Sequence, residues 1–291
     1  MGLMRRANFL ARVVLNLGTD KSCPFCKSTS TRLVDRKNLV LQLRECPACG
    51  LWFRWPSETA GFQGKFYQKQ YQEAGFTTEL PEPAVLERFK ASNFLGSPKD
   101  FHVSIAVLKR LMPHGRVLDY GCSWGYGAFQ LRNAGYDAVG FEISRPRAKF
   151  GREQLGIEIL DALSDLDTIP DQSLDAIYAS HVLEHLLSLK ETFAFFARTL
   201  RPGGLAMVLV PNAGGRLARE LGTKWTPMIG EKHTLALRRD FFEKNMPAYG
   251  FQVLALSDPY NPETIEAAMA NSTILPCEGE ELMVLARRLP V

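Results

Sequence analysis

Seven short apolar segments alternate with longer helical stretches between residues 115 and 290, and this alternation limits the fold of the 291-residue chain more than any other feature. Several segments are nearly continuous apolar runs, which is typical of strands buried on both faces of a parallel sheet. The pattern predicts a doubly wound α/β domain with a seven-stranded, mostly parallel sheet. The predicted strands are Arg116–Tyr120, Ala138–Glu142, Ile157–Leu160, Ala176–Ala179, Leu205–Val210, Gln252–Leu256 and Glu281–Ala286. The predicted helices are Gly127–Ala134, Arg145–Leu155, Leu187–Thr199 and Arg238–Tyr249.

Composition divides the chain into four predicted parts. Residues 1–20 are expected to form a helix, 21–56 a metal module, 57–112 a linker with a helical cap, and 113–291 the α/β domain. The apolar run near the N-terminus is interrupted by Arg12 and is followed by no small-residue cleavage site, so no signal peptide is expected. An amphipathic helix packed on the body is favoured, with peripheral membrane contact as the alternative. No apolar run reaches eighteen residues, so no transmembrane helix is expected.

The net charge and the cysteine content limit which partners and which cellular compartment are expected for the chain. The chain has 35 Lys and Arg against 31 Asp and Glu, a formal net charge of +4. This mild excess does not indicate a nucleic-acid partner, since a dedicated binder usually gathers a larger excess on one face. The six cysteines are too sparse for a secreted disulfide framework, so metal binding in a reducing, cytoplasmic location is predicted.

The segment Val117–Gly127 joins the first predicted strand to the first predicted helix. Gly121, Gly125 and Gly127 let the backbone turn tightly and approach a ligand, and ligands of doubly wound folds bind at this end of the strands. Such a loop alone also fits NAD, FAD or no ligand. Asp119, however, places a carboxylate where it would repel a pyrophosphate and attract a sulfonium with an ammonium group. The loop therefore favours S-adenosylmethionine.

A second carboxylate, Glu142, ends the second predicted strand. An acidic residue at this place accepts hydrogen bonds from ribose hydroxyls in nucleotide-binding folds. A solvated surface glutamate is the alternative, but the preceding apolar strand favours the ribose role.

The order of these and later segments resembles class I S-adenosylmethionine-dependent methyltransferases over residues 115–257. After Asp119–Gly127 and Glu142 come Leu160-Asp161-Ala162, then the segment 175–185 and the turn 200–204. The resemblance implies that Asp119 lies near the methionine amino end and that Glu142 binds ribose. It also implies that Asp161 and Ala162 flank adenine. The cofactor-binding residues it implies are Asp119, Gly121, Ser123, Gly125, Glu142, Ile143, Asp161, Ala162 and Ser180.

One position departs from the family pattern, because Ser123 stands where these proteins usually carry the second glycine of D-x-G-C-G-x-G. A serine is expected to fit there if its φ is negative.

Two C-P-x-C pairs, Cys23–Cys26 and Cys46–Cys49, are separated by nineteen residues. Between them, Thr31–Val34 and Leu39–Arg44 are expected to pair as a hairpin around residues 35–38. Four thiolates in a tetrahedron suit a structural Zn²⁺, since no open position remains for water. Two redox pairs or unligated core cysteines are the alternatives. The remaining cysteines, Cys122 and Cys277, are expected to be ordinary small apolar residues.

A zinc ribbon followed by a linker containing Phe66, Tyr67 and Tyr71 and a methyltransferase core resembles a bacterial subfamily. Its members often methylate sugars or intermediates of polysaccharide, lipid and natural-product pathways. Zinc ribbons also occur on RNA methyltransferases, so the acceptor stays open.

Transfer of a methyl group to a hydroxyl usually needs a general base, most often histidine. His181 follows the fourth strand and is a candidate base, with shaping of the methionine pocket as the alternative. His185 would share its helical face if the segment is helical, and is expected to be structural. Glu184, between the two, is expected to point elsewhere.

The segment Asn212–Leu237 follows the fifth strand, where this fold places substrate-covering insertions. Its Leu221–Trp225 and His233 loosely match a pattern of the polysaccharide-cluster relatives, Leu-Gly-x-x-Trp followed by an acidic-x-His. His233 is therefore the first candidate base, with a surface histidine that caps the next helix as the alternative. Trp225 is expected either to stack on the acceptor or to close the core of this segment.

Arg145, Arg147, Lys149 and Arg152 are expected to form a solvated helix face, with binding of an anionic substrate as the alternative. The whole sequence predicts a methyltransferase that uses S-adenosylmethionine and a structural zinc to O-methylate a small-molecule or glycan-pathway acceptor. The alternatives are an RNA methyltransferase and a non-catalytic module that docks a partner through its ribbon.

Overall fold

The computed structural model describes residues 3–57 and 79–290, so the linker residues Phe66, Tyr67 and Tyr71 lie outside the described part. Its strands are β1 (Arg32–Lys37), β2 (Leu41–Glu45), β3 (Trp52–Trp55), β4 (Arg116–Tyr120), β5 (Asp137–Phe141), β6 (Ile159–Leu160), β7 (Leu174–Ser180), β8 (Leu200–Pro211), β9 (Leu235–Ala236), β10 (Phe251–Ser257) and β11 (Glu281–Arg288). Its helices are α1 (Leu3–Leu15), α2 (Pro83–Ala91), α3 (His102–Leu111), α4 (Tyr126–Asn133), α5 (Arg145–Leu155), α6 (Lys190–Thr199), α7 (Arg216–Leu221), α8 (Arg239–Asn245) and α9 (Pro262–Asn271).

The larger sheet has seven strands in the order β10-β11-β8-β7-β4-β5-β6. The five strands β4 to β8 run parallel to one another, and β11 pairs antiparallel with β8 and β10. All seven predicted strands lie in this sheet, so the prediction of a doubly wound, mostly parallel sheet is confirmed. Because β4 and β7 are adjacent, the loops that follow them open into the same crevice.

Helices cover both faces of the sheet. On one face Phe193 and Phe196 of α6 and Phe241 of α8 are fully buried against the strands. On the other face Leu131 of α4 and Ala148 of α5 are buried in a second apolar cluster. Burial on both sides explains why the strands read as continuous apolar runs.

A smaller sheet has the order β1-β2-β3-β9 and joins the cysteine-rich segment to the region after β8. Its hairpin differs from the prediction. The turn falls at residues 38–40, and Asp35, Arg36 and Lys37 belong to β1 rather than to the turn. Asn38 and Leu39 make the turn with φ of 51° and 63°. Asp35 is held in the strand because its carboxylate accepts hydrogen bonds from Thr223.

Helix α1 packs on the body through Phe9 and Val13, which are buried in a third apolar cluster. Arg12 forms an ion pair of 2.9 Å with Glu231. Leu15 lies on the opposite side and is 83% exposed. Within residues 3–57 and 79–290, none of the helices is long and apolar enough to cross a membrane.

Candidate active site

The loop between β4 and α4 is shaped by glycines that contact other groups closely. Gly121 and Gly125 have φ of 79° and 85°, in the left-handed region that favours glycine. A Cβ on Gly121 would lie 2.4 Å from a methyl group of Val182, and one on Gly127 would lie 2.6 Å from Asp119 Oδ2. The loop can therefore pass directly over the end of β4 only with glycine at these places.

Asp119 is the second-last residue of β4, and its side chain is almost entirely buried. Within the described residues its Oδ2 atom has no hydrogen-bond partner. Burial raises the pKa of Asp119 to about 7, although the Ala128 N–H at the start of α4 opposes the shift. A buried carboxyl group with an unused oxygen, aimed under the glycine loop, is suited to a cationic ligand.

Ser123 adopts a φ of 53°, so the expectation of a negative φ at this position is wrong. Its neighbours stabilise this sparsely populated conformation. The Ser123 N–H donates to Glu142 Oε2 at 3.0 Å, and its Oγ accepts from Arg147 at 2.9 Å. Arg147 is 1% exposed, so the prediction of a solvated face on α5 is wrong for this residue.

Glu142 follows β5 and is 5% exposed, which excludes a solvated surface position. Its Oε1 accepts from the Ser144 N–H at 2.7 Å, and its Oε2 accepts from Ser123. Burial raises the pKa of Glu142 to about 7, against the Ser144 hydrogen bond and the charge of Arg147. Two backbone donors therefore fix the orientation of this carboxylate.

Asp161 and Ala162 follow β6, the next strand of the sheet. Both N–H groups donate to Asp165 Oδ2, at 3.1 and 2.9 Å. The Asp161 carboxylate accepts a hydrogen bond of 2.8 Å from Arg152. Ile143 lies beside Glu142 and packs on the large apolar cluster. The carboxyl ends of β4, β5 and β6 thus present most of the predicted cofactor residues at one edge of the sheet.

A cavity of about 510 Å³ connects the glycine loop to a group of histidines. Gly121, Ser123 and Ser180 line it on the loop side, and His181 and His233 line it on the other. Residues that are far apart in the sequence therefore line the same cavity. The other lining residues include Lys99, Asp100, Phe101, Ser104, Tyr126, Tyr178, Glu184, His185, Lys232, Tyr260 and Glu281.

His181 comes directly after β7 with a φ of 54°, so the segment is not α-helical here. Its Nδ1 lies 3.3 Å from Glu184 Oε1, and its Nε2 lies 2.9 Å from Glu281 Oε2. Desolvation favours the neutral ring, but the two carboxylates outweigh it and raise the pKa of His181 to about 10. At neutral pH the ring is an imidazolium.

Glu184 points into this group, and the expectation that it points elsewhere is wrong. The segment Leu183–His185 is a single 3-10 turn, which brings Glu184 Oε1 within 3.7 Å of His185 Nε2 as well. Burial alone would raise the pKa of Glu184, but His185 and His181 lower it to about 2. The buried carboxylate is therefore ionised and holds positive charge beside it.

His233 and His185 lie edge to face with ring centroids 4.8 Å apart. The His233 Nδ1 contacts the Pro227 carbonyl oxygen at 2.6 Å, and the His185 Nδ1 contacts the Lys232 carbonyl oxygen at 3.1 Å. A carbonyl oxygen only accepts, so the Nδ1 atom of each ring carries a proton. Burial lowers the pKa of His233 to about 4, so its ring is neutral.

Glu281 and Tyr260 also line the cavity beside His181. Neither of them was identified as a site residue from the sequence. The Tyr260 hydroxyl donates to Glu281 Oε1 at 2.9 Å. Glu281 begins β11, which is antiparallel to β8 and pairs with Pro211. The start of an antiparallel strand lies beside the carboxyl ends of its parallel neighbours, and this rule could have identified Glu281.

The four paired cysteines meet at one point. The Sγ atoms of Cys23 and Cys49 lie 3.5 Å apart, as do those of Cys26 and Cys46, and all four lie within 4.8 Å of one another. These separations exclude disulfides, whose sulfurs lie about 2.0 Å apart, and approach the edge of a tetrahedral Zn–S₄ centre. The donor set fits zinc. Glu184, His185 and His233 also bring ligand atoms within 4.8 Å of one another, but Glu184 is already paired with the His181 imidazolium.

Trp225 is 6% exposed and lies in the apolar cluster with Phe9 and Val13. It closes the core of its segment and does not line the cavity described above.

A seven-stranded doubly wound sheet with a glycine loop after its first strand defines a Rossmann-like, class I methyltransferase fold. The family profile described as a methyltransferase domain matches residues 98–256, more than half of the chain. The chain therefore belongs to the family of S-adenosylmethionine-dependent methyltransferases.

Individual relatives are more distant. The chain is similar to phosphoethanolamine N-methyltransferase 3 of Arabidopsis thaliana, with 28% identity over 190 residues, 63% of this chain and 36% of the relative. It is 27% identical to a malonyl-[acyl-carrier protein] O-methyltransferase of Serratia marcescens over 126 residues, 43% of this chain and 48% of the relative. The chain spans about a third of the length of the plant relatives.

The fold also matches a solved structure of geranyl diphosphate methyltransferase in complex with geranyl diphosphate and sinefungin. The TM-score is 0.50 at 14% identity, covering 78% of this chain and 99% of that one. This likeness concerns the fold alone.

Proposed function

We propose that the chain transfers a methyl group from S-adenosylmethionine to a small-molecule or glycan-pathway acceptor, as an O-methylation in the cytoplasm. The observation that supports this most is the cavity of about 510 Å³ that joins Gly121 and Ser123 to His181 and His233. A cofactor at the loop and an acceptor at the histidines would face each other across it. Such positioning is the main requirement of an in-line displacement at a methyl group.

The proposed cofactor site follows the edge of the sheet. Asp119 attracts the positive charge of the methionine moiety, and Glu142, already oriented by two backbone donors, accepts from the ribose. Asp161 and Ala162 flank the adenine at the end of β6. Gly121, Ser123, Gly125, Ile143 and Ser180 supply the surrounding surface. The buried carboxyl groups favour a cation here, because an unpaired carboxylate is costly to bury.

For the proton of the acceptor we favour His233 over His181. A neutral ring whose Nδ1 proton is held by Pro227 offers its Nε2 lone pair to the cavity. His181 lies between two carboxylates, and its charge suits it to orient the acceptor or the methionine carboxylate. Glu184 lies 3.3 Å from His181 Nδ1, and the His185 ring packs edge to face against His233.

The cysteine group is proposed to hold one structural Zn²⁺ through Cys23, Cys26, Cys46 and Cys49. A tetrahedral S₄ site supplies no open position for chemistry. The acceptor class follows the subfamily resemblance, and the two relatives named above methylate acceptors of different kinds.

The test of the proposal is cofactor binding. Asp119→Asn keeps the shape of the side chain and removes its charge. We expect it to weaken S-adenosylmethionine binding about tenfold to a hundredfold, the usual loss when a charge-assisted contact is removed. Isothermal calorimetry measures the Kd directly.

Asp137→Asn is the matched control. The Asp137 side chain is 72% exposed, and its ion pair with Arg116 is long, at 3.8 Å, and therefore weak. The control should bind the cofactor as the wild type does. Equal affinity in Asp119→Asn and wild type would refute the assignment of the cofactor site.

A further inference from the structure

The cysteine-rich segment is joined by strand pairing to the segment that carries His233. Residues 222–236, named here the lid segment, end in β9, which pairs antiparallel with β3. Phe53 and Trp52 face Leu235 and Ala236 in this pairing. The Arg54 N–H extends it by donating to the Thr234 carbonyl oxygen at 2.8 Å. The ribbon and the lid segment are therefore parts of one sheet.

The Arg54 side chain extends this connection beyond the strand. It is 2% exposed, and its guanidinium donates to the carbonyl oxygens of Gly230 at 2.5 Å and Glu231 at 3.4 Å. Its Nε donates to the Pro56 carbonyl oxygen at 3.2 Å. A guanidinium has a rigid fork of donors. Arg54 therefore fixes the lid backbone two and three residues before His233.

Two further charged side chains of β1 contact the lid segment. The Lys37 ammonium donates to the Ile229 carbonyl oxygen at 2.7 Å. The Asp35 carboxylate accepts from the Thr223 N–H at 2.9 Å and from its hydroxyl at 2.8 Å. The side chains of three ribbon residues thus form hydrogen bonds with the lid segment. The ribbon is therefore held against this segment and is not a flexibly attached module.

The opposite side of the lid segment contacts the proposed acceptor pocket. The Thr234 N–H donates to the Glu184 carbonyl oxygen at 2.9 Å, directly after His233. The Gly230 N–H donates to the His233 carbonyl oxygen at 3.2 Å, and the Nδ1 of His233 donates to Pro227. Both ends of the turn that holds the imidazole are therefore bonded within the lid segment, whose carbonyls Arg54 holds.

We infer that Arg54 is a positioning residue that places the His233 imidazole against the acceptor pocket. The cysteine-rich ribbon, through Arg54 and β3, supports the segment that carries His233 from outside the cavity, whose described lining residues lie between 98 and 281. The inference rests on the proposed function for the role of His233, but the position of the ring can be measured without an acceptor.

The measurable property is the titration of His233 itself. Its ring faces His185, Glu184 and His181, and desolvation is the main reason why its pKa lies near 4. If the lid segment loosens, water reaches the ring and its pKa rises toward the ordinary value of about 6.5. A residue that merely stabilised the fold would lower the melting temperature without shifting this titration in the folded protein.

The experiment is an NMR titration of ¹³C-labelled histidines in the full chain, assigned with His233→Gln. In Arg54→Met we expect the pKa of His233 to rise by at least one unit while the Kd for S-adenosylmethionine changes less than threefold. Arg54→Lys, which keeps the charge but not the fork, should give a smaller rise. An unchanged His233 titration in folded Arg54→Met would overturn the inference.

Arg44→Met is the matched control, because the Arg44 guanidinium bonds to Thr31 and Gln42 inside the ribbon. It should leave His233 unshifted, and an equal shift there would also overturn the inference. If Arg54→Met fails to fold, Lys37→Met provides the same reading, since it removes a lid contact from a half-buried position. A shifted titration together with normal turnover of His233→Gln would retain the positioning role and refute only the base assignment.

Discussion

Asp119 and Glu142 are two carboxyl groups held out of water at neighbouring strand ends. Each has a pKa raised to about 7, with burial as the main cause, and the charge of Glu142 adds to the shift of Asp119. In the ligand-free protein both therefore exchange protons near physiological pH. A cationic ligand favours the ionised forms, so its binding is linked to proton release.

This linkage predicts how cofactor affinity depends on pH. A positively charged ligand binds the deprotonated carboxyl groups, so affinity should be highest above about pH 8. It should weaken as the pH falls through 7, by up to about tenfold per unit for each carboxyl group that takes up a proton. Calorimetry between pH 5.5 and 8.5, in buffers of different ionisation enthalpy, measures both the affinity and the protons released. A flat profile would contradict the raised pKa values, and Asp119→Asn should reduce the slope.

His233 provides a second prediction at this scale. We expect His233→Gln to lower kcat about 100-fold or more, because general-base catalysis contributes roughly that factor, with little change in cofactor affinity. Release of S-adenosylhomocysteine would be followed with an acceptor found by screening sugars and sugar nucleotides. His114→Gln is the control, since His114 is exposed and is absent from the described residues that line the cavity. Full turnover in His233→Gln would remove it as the base.

Single residues also show what a sequence leaves undetermined. The glycine spacing identifies the loop, but the left-handed conformation of Ser123 depends on Glu142 and Arg147, which come later in the chain. An α-helix would also place Glu184 on the same face as His181, three residues earlier, so this spacing could have indicated their contact. The contact of His181 with Glu281 could not be read in this way, because Glu281 lies a hundred residues further along the chain. Local sequence patterns therefore indicate which residues belong to the site, but contacts with distant residues determine how their side chains are oriented.

At the scale of elements, strands were predicted more securely than their connections. Apolar runs locate β4 to β8 because burial on both faces leaves a clear signal. The β1–β2 turn was displaced because the bond between Asp35 and Thr223 holds Asp35 in the strand, and Thr223 belongs to a remote part of the chain. The two-residue strand β9 has no local signal and exists because β3 lies beside it.

The ribbon is the element whose metal can be tested directly. Elemental analysis should find about one zinc per chain, and Cys26→Ser should lose most of it. Since binding of structural zinc contributes directly to folding, we expect the melting temperature to fall by roughly 10 °C on strong chelation. Cys277→Ser is the control, because Cys277 lies apart from the other five cysteines near Asn212. A metal-free chain with an unchanged melting temperature would refute the zinc site.

For the whole molecule, the prediction of a doubly wound sheet is confirmed, because it rests on many apolar segments that each indicate a buried strand. The relation between the two sheets could not be predicted in the same way. It depends on Phe25, whose ring contacts Phe193 and Phe241 with centroids 5.9 and 5.2 Å apart, and on the pairing of β3 with β9. Neither contact has a counterpart in the spacing of residues along the chain.

The pairing of β3 with β9 has a consequence for synthesis. The ribbon is synthesised before the strand that covers its edge, because β9 follows β3 by about 180 residues. Until then Trp52–Trp55 presents unpaired backbone groups and large apolar side chains, the features that promote association between nascent chains. The order of translation therefore leaves this edge of β3 uncovered while about 180 further residues are added.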